Sequence, residues 1–161
     1  MPKSRQIARW IGVGSFLLAA TILSAQQPSF DGSWQMVKEK SQLNDKRTVA
    51  VDIKSNTKTI TMTLKTRKGE DSKETIAEFT ATLNGKACQF EEGSHTSKIT
   101  VWYDGPSLNV CKENGPADDA TSMWKLDISP DKQTMTMKIS HYDPQAADET
   151  LVFAKAPTPT P

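Results

Sequence analysis

Two cysteines and two histidines are all the chain offers of the side chains that most often carry catalysis or bind metal. One histidine falls in a suggestive stretch, where Cys88, Glu91, Glu92 and His95 place a thiol, two carboxylates and an imidazole close together. Zinc sites space their ligands in characteristic short pairs, and no such pair occurs here, so no metal site is assigned. The stretch reads instead as a solvated acidic turn. Nucleophilic catalysis fares no better. No Gly-x-Ser-x-Gly elbow and no Cys-His family signature is present, and Ser129 stands directly before Pro130, where a turn explains it. The expected outcome is a protein with no catalytic residue and no cofactor, hence not an enzyme.

Cys88 and Cys111 pose a separate question. In an oxidising compartment an isolated pair most often forms a disulfide, and a loop of this length would gain roughly 3 kcal/mol in the chain-entropy view. Strand register argues the other way. One intervening strand puts the two about 9.6 Å apart, beyond the ~6.8 Å that a disulfide tolerates. A Cys88–Cys111 disulfide is nonetheless the expectation, with the strand ends converging near 91–96 or the register differing; free thiols are the alternative.

The elements that would position these residues begin after an unusual N-terminus. Lys3, Arg5 and Arg9 precede an apolar run from Trp10 to Leu23, and no acidic residue appears before Asp31. The run is shorter than the ~20 residues of a transmembrane helix and ends in Ser24-Ala25, the pattern of a Sec-type signal peptide over residues 1–25. Export to the periplasm or the exterior is expected, with no membrane association after cleavage. Losing three basic and no acidic residues takes the formal net charge from +1 to −2. A mildly acidic chain with interspersed signs has no electrostatic reason to hold nucleic acid. The domain proper is expected over 26–155. The Pro/Thr tail of 156–161 favours polyproline II and cannot extend a sheet.

Between these ends apolar residues recur at every second position. Ile60, Met62 and Leu64 alternate with threonines, and Ala77, Phe79, Ala81 and Leu83 alternate with Glu and Thr. The same holds for Ile99, Val101 and Tyr103, for Trp124, Leu126 and Ile128, and for Met135, Met137 and Ile139. Such a period buries one face of a strand and wets the other. Turn signals fall at strand spacing, the strongest being Asn84-Gly85, whose residues suit the positive φ angles of a type I′ hairpin. About ten strands are predicted, near 33–39, 48–54, 58–67, 73–83, 86–90, 97–103, 107–112, 120–128, 133–140 and 149–155. With no crossover helix, this is an all-β meander. Rolling it into a single antiparallel up-and-down barrel of about eight to ten strands buries the apolar face and removes both edges. An open sandwich would call for longer connections.

Certain residues now resemble a known group. Phe30-Asp31-Gly32-Ser33-Trp34, followed by Lys40-Ser41-Gln42-Leu43, is similar to the Gly-x-Trp opening of lipocalins and related calycin barrels, in particular small exported bacterial lipocalin-like proteins. Asn84-Gly85-Lys86 and the turn-strand element from Ile128-Ser129-Pro130-Asp131-Lys132 to Thr136 are similar to that group as well. The resemblance implies structural roles for Gly32, Trp34 and Lys155, with Trp34 packed across the closed end of the barrel beneath Lys155, the basic residue of the last strand. The chain lacks the Thr-Asp-Tyr element, the C-terminal helix and the two-helix lid of ligand carriers, and a shared fold carries little function by itself.

Two functional readings remain open. The inward set of Met62, Phe79, Tyr103, Trp124, Met135 and Met137 either lines a cavity for a small hydrophobic ligand, methionine adapting to irregular shapes, or fills the interior solid. In the first case the chain is a monomeric, non-enzymatic binding protein of the bacterial envelope or exterior. In the second it is a solid-cored envelope protein acting through its surface on another protein or a glycan, with outward Trp102 or the acidic 91–95 stretch as the contact.

Overall fold

In the computed structural model, residues 27–69, 71–92, 95–114 and 121–157 are described. The segment read as a signal peptide and residues 158–161 lie outside them. Ten strands follow one another: β1 (Gly32–Met36), β2 (Arg47–Ser55), β3 (Thr59–Lys68), β4 (Thr75–Thr82), β5 (Cys88–Glu92), β6 (His95–Asp104), β7 (Ser107–Asn114), β8 (Thr121–Ile128), β9 (Thr134–Asp143) and β10 (Glu149–Lys155). Each pairs antiparallel with its neighbour in sequence, and β1 pairs with β10 to close the barrel. Among the described residues a 3₁₀ turn at Lys38–Lys40 is the sole helical element.

The alternation that predicts the strands is the one that the barrel uses. On β2, Val49, Val51 and Ile53 are buried while the residues between them are not, and β4 and β9 show the same period. Closure through β1 and β10 removes the two terminal edges that a flat meander of this length would present to other chains. Because strands run alternately up and down, the connections divide between two ends. The N-terminal residues, the 56–58, 83–87, 105–106 and 129–133 connections and the C-terminus of β10 share one end. The 37–46, 69–74 and 144–148 connections share the other, with the ends of β5 and β7.

The first end is closed. Trp34 is fully buried and its indole Nε1 donates to the Phe30 carbonyl at 2.8 Å, which folds residues 30–34 across the barrel base. Lys155 lies directly opposite Trp34 in the β1–β10 register, with its Nζ 5.3 Å from the ring centroid. A cation over an indole face contributes about 0.5–2 kcal/mol. Gly32 is fixed by the same contact. Its φ of +132° is open to glycine, and a Cβ there would come within 2.8 Å of Lys155 Cε.

Two expectations need correcting. Asn84-Gly85 does not form a type I′ hairpin: only Gly85 has positive φ, and Asn84 bridges to Trp102 on β6. Strands β4 and β5 share a single register pair, Glu78 with Glu91. Their junction is filled by the edge-on contact of Phe79 with Phe90, centroids 5.5 Å apart. Two residues suffice to suggest a tight hairpin, whereas the 83–87 connection is held by the Asn84 bridge to Trp102 and by the Gly85 N–H donating to the Val101 carbonyl.

Cys88 and Cys111 are free thiols. Cys88 is opposite Ile99 and shares its inward face, whereas Cys111 is opposite Thr100 and shares its outward face. The wall of β6 stands between them, so parity as well as distance forbids the bond. Burial pushes both thiols above their ordinary pKa, with Glu113 adding to the rise at Cys111.

Candidate functional site

The barrel interior is packed in its lower half and open in its upper half. On β9, β10 and β2, followed from the closed end, the inward positions turn from apolar to polar. On β9, Met135 and Met137 are buried, Ile139 is nearly so, and His141 is half-exposed. On β10 the order reverses with direction, from Phe153 through Leu151 to Glu149. On β2 it runs from Ile53 and Val51 through Val49 to Arg47.

The upper half holds a cavity of about 300 Å³ that opens to the exterior. Its wall is apolar toward the floor, where Val49, Leu64, Ala77, Phe90, Trp124, Met137, Ile139 and Leu151 meet, and polar toward the mouth, with Asp45, Arg47, Thr66, Lys68, Lys112, Ser122, His141 and Glu149. This volume lies at the lower limit of small-molecule sites, roughly 300–1,000 Å³. It far exceeds the ~10–15 Å³ that a single water requires.

Of the six side chains expected to line such a cavity, Trp124 and Met137 do so. Met62, Phe79 and Met135 sit one pleat closer to the closed end, inside the packed core. Tyr103 belongs to that end altogether. Its ring lies 6.3 Å from that of Phe30, and its hydroxyl donates to the Pro28 carbonyl at 3.2 Å. Burial, with Asp31 nearby, raises its pKa. Trp102 faces outward and is half-buried, opposite Asn109 of β7.

The polar residues of the mouth form an arrangement that spans five strands. Lys112 of β7 is opposite Ser122 of β8, and Ser122 is opposite His141 of β9. His141 Nε2 lies 3.5 Å from Glu149 Oε2 of β10, and the Arg47 guanidinium of β2 reaches the same oxygen at 2.5 Å. Ser122 accepts from Trp124 Nε1 at 3.2 Å, which fixes the indole against the cavity wall. Lys112 Nζ stands 5.2 Å over the Phe90 ring. Glu149, only 2% exposed, is the hub of the arrangement. Its second oxygen accepts the Asn44 backbone N–H at 2.9 Å, while the Asn44 side chain donates to the Ala147 carbonyl. One carboxylate thus ties the β1–β2 connection to β2, β9 and β10.

Burial alone would raise the Glu149 pKa. The Arg47 hydrogen bond, the Asn44 N–H, the Arg47 charge and His141 outweigh it and hold the carboxyl below its ordinary value. Arg47 is shared with Asp45 at 2.9 Å, and its two carboxylate partners raise its own pKa against the effect of burial. A buried carboxylate fully supplied with donors is a structural fastener. Nothing in it presents an activated nucleophile or base.

Inspection of the sequence for catalytic residues passes over Arg47, His141 and Glu149. The signal for them is parity, since each occupies the next inward position after a run of buried apolar residues on its strand. Among the described residues no three of His, Cys, Asp and Glu gather as metal ligands, and the side chains of Glu92 and His95 lie outside those residues.

No family model matches the chain, and no curated protein resembles it significantly. Solved structures do. A secretory abundant heat soluble protein from Ramazzottius varieornatus superposes with a TM-score of 0.61 at 8% identity, covering 82% of this chain and 98% of that one. The REP1-NXSQ fatty acid transporter gives 0.60 at 12% identity, covering 80% and 97%. A Schistosoma mansoni fatty acid binding protein in complex with arachidonic acid gives 0.57 at 14%, covering 80% and 96%. At these identities the likeness establishes the fold alone, a closed ten-stranded antiparallel barrel.

Proposed function

We propose that the protein is a non-enzymatic carrier that holds a small hydrophobic ligand in the open half of its barrel. The observation that carries this reading is the cavity itself, apolar at its floor and polar at its rim, in a barrel whose other half is filled. Burial of apolar ligand surface would supply the affinity, at about 25 cal/mol per Å² removed from water, and the rim would set orientation. The fold is shared with proteins described as fatty acid transporters and fatty acid binding proteins, which supports the reading without assigning a ligand. The lower half is occupied by Phe30, Trp34, Met62, Phe79, Met135 and Phe153, so the ligand is short or only partly enclosed.

Export belongs to the same proposal. Cleavage after Ala25 would release a monomer into the periplasm or the medium, where a bacterial envelope protein would meet apolar molecules. N-terminal sequencing of the secreted chain tests that step.

The central test uses Trp124 as reporter. Delipidated protein is titrated with an environment-sensitive apolar fluorophore and with medium-chain alcohols. Saturable one-to-one binding with a change in tryptophan emission is expected. A folded protein that binds none of these probes would establish the other reading, in which the chain acts through its surface.

A further inference from the structure

The cavity floor decides what tail a ligand can have, and the charges of the mouth decide what head. Inside, the Arg47 guanidinium is already matched by Asp45 and Glu149. On the outer side of the same rim the balance is different. Lys38 of the 3₁₀ turn, Lys46, Thr48, Arg67 and Gly69 line a depression of about 210 Å³, and no carboxylate lines it among the described residues.

Strand register places the two sides back to back. Thr48 is opposite Arg67 and faces outward, while the adjacent pair, Arg47 opposite Lys68, faces the cavity. Cations therefore flank one strip of rim on both sides. Among the described residues, Glu74 is 3.7 Å from Arg67, Glu39 shares the turn of Lys38, and Asp45, next to Lys46, is bound to Arg47 at 2.9 Å. Elsewhere around the mouth the strand ends and connections expose Glu91, Glu113, Asp143 and Asp148. A surface whose sign changes around an opening directs an anionic group to one side of it.

We infer, resting on the ligand-binding reading above, that the ligand is a short-tailed amphiphile with a phosphate-class head. Its tail occupies the cavity, and its head crosses the β2–β3 rim onto Lys38, Lys46 and Arg67. A tetrahedral oxyanion suits three donors around one depression better than a carboxylate does. It carries up to two charges on three free oxygens, and Arg67 can address two of them with its planar fork.

Full-length mature protein is titrated with octyl phosphate, octanoate, octanol and inorganic phosphate at low ionic strength. Exposed ion pairs are individually weak, so the three together should favour octyl phosphate over octanol by about tenfold, with octanoate between them. In a K38Q/K46Q/R67Q variant that preference should shrink to within about twofold while octanol binds as before. Equal binding of octyl phosphate and octanol, or a preference that survives in the triple variant, overturns the inference and leaves the cavity reading standing. Inorganic phosphate binding as tightly as octyl phosphate overturns it too, because the rim would then be a free-anion site. Failure of all three amphiphiles to bind folded protein sinks the cavity reading and this inference together.

Discussion

The two ends of this barrel are built from the same alternating strands and come to opposite results. At the closed end the inward positions carry large apolar groups, and the chain folds Phe30 and Trp34 across the opening with Lys155 above the indole. At the open end the corresponding positions carry Arg47, Lys68, Lys112, His141 and Glu149, and space is left over. Close packing removes water and gains dispersion contacts. A ring of polar groups must keep its partners or its water, which prevents the strands from collapsing inward. The difference teaches that a hollow in such a barrel is specified by polar residues at inward positions.

Substitutions separate the two ends. The largest effect is expected from Trp34→Ala, which removes a fully buried indole and should cost about 3–5 kcal/mol in denaturant unfolding, with probe affinity of the remaining folded protein unchanged. Loss of binding in proportion to loss of stability would mean that the two ends are not independent. Arg47→Ala leaves the Glu149 carboxylate buried with only the Asn44 N–H and His141 beside it. Removing one partner of a buried pair costs about 3–5 kcal/mol, and the partial exposure of Arg47 brings the expected loss nearer ~2 kcal/mol. Replacing both by apolar groups, as in R47M/E149L, should recover most of it.

Acid sharpens the same contrast. Glu149 has a depressed pKa in the folded protein, so its contribution to stability is present above the unfolded carboxylate value, near 4.3, and disappears as pH falls through the lower folded value. Melting temperature should therefore drop more steeply below about pH 4.5 in the parent than in Glu149→Gln. Identical slopes would remove Glu149 from its role as fastener. Filling the cavity gives the converse result: Ala77→Phe should abolish probe binding while changing stability by no more than about 1.5 kcal/mol.

The smallest effect belongs to the closed end. Lys132 adopts a φ of 57° in the turn where its backbone N–H donates to the Ser129 carbonyl at 2.8 Å. Lys132→Gly should stabilise by about 0.5–1 kcal/mol, the relief of left-handed backbone slightly exceeding glycine's entropic cost. No gain would mean that the lysine side chain makes up the strain elsewhere.

How much of this was legible varies with the range of the interaction. The strands near 58–67 and 133–140 start within one residue of the expected positions, and the second runs three residues further, to Asp143, because their apolar period is local. The Ser129-Pro130-Asp131 turn was equally plain, since its hydrogen bonds, Ser129 Oγ to Asp131 and Gln133 N–H to Asp131, join near neighbours. Asn84-Gly85 misled, because its geometry answers to Trp102 on β6. Parity grouped Met62 and Met135 with Met137, yet only the last reaches the cavity. Alternation tells which face a residue takes and is silent about its height along the barrel axis relative to other strands.

The sequence by itself determined that the chain is a meander with one greasy face, because side-chain direction along a strand follows from backbone geometry alone. The resemblance of its Gly-x-Trp opening to calycin barrels further implied Trp34 at the base beneath Lys155. Only the tertiary structure decided that Cys88 and Cys111 lie on opposite sides of a wall, that Glu149 gathers Arg47, His141 and Asn44, and that the interior is half full. These depend on register and closure, which bring together residues a hundred positions apart, and no local pattern encodes how far one strand slides along the next.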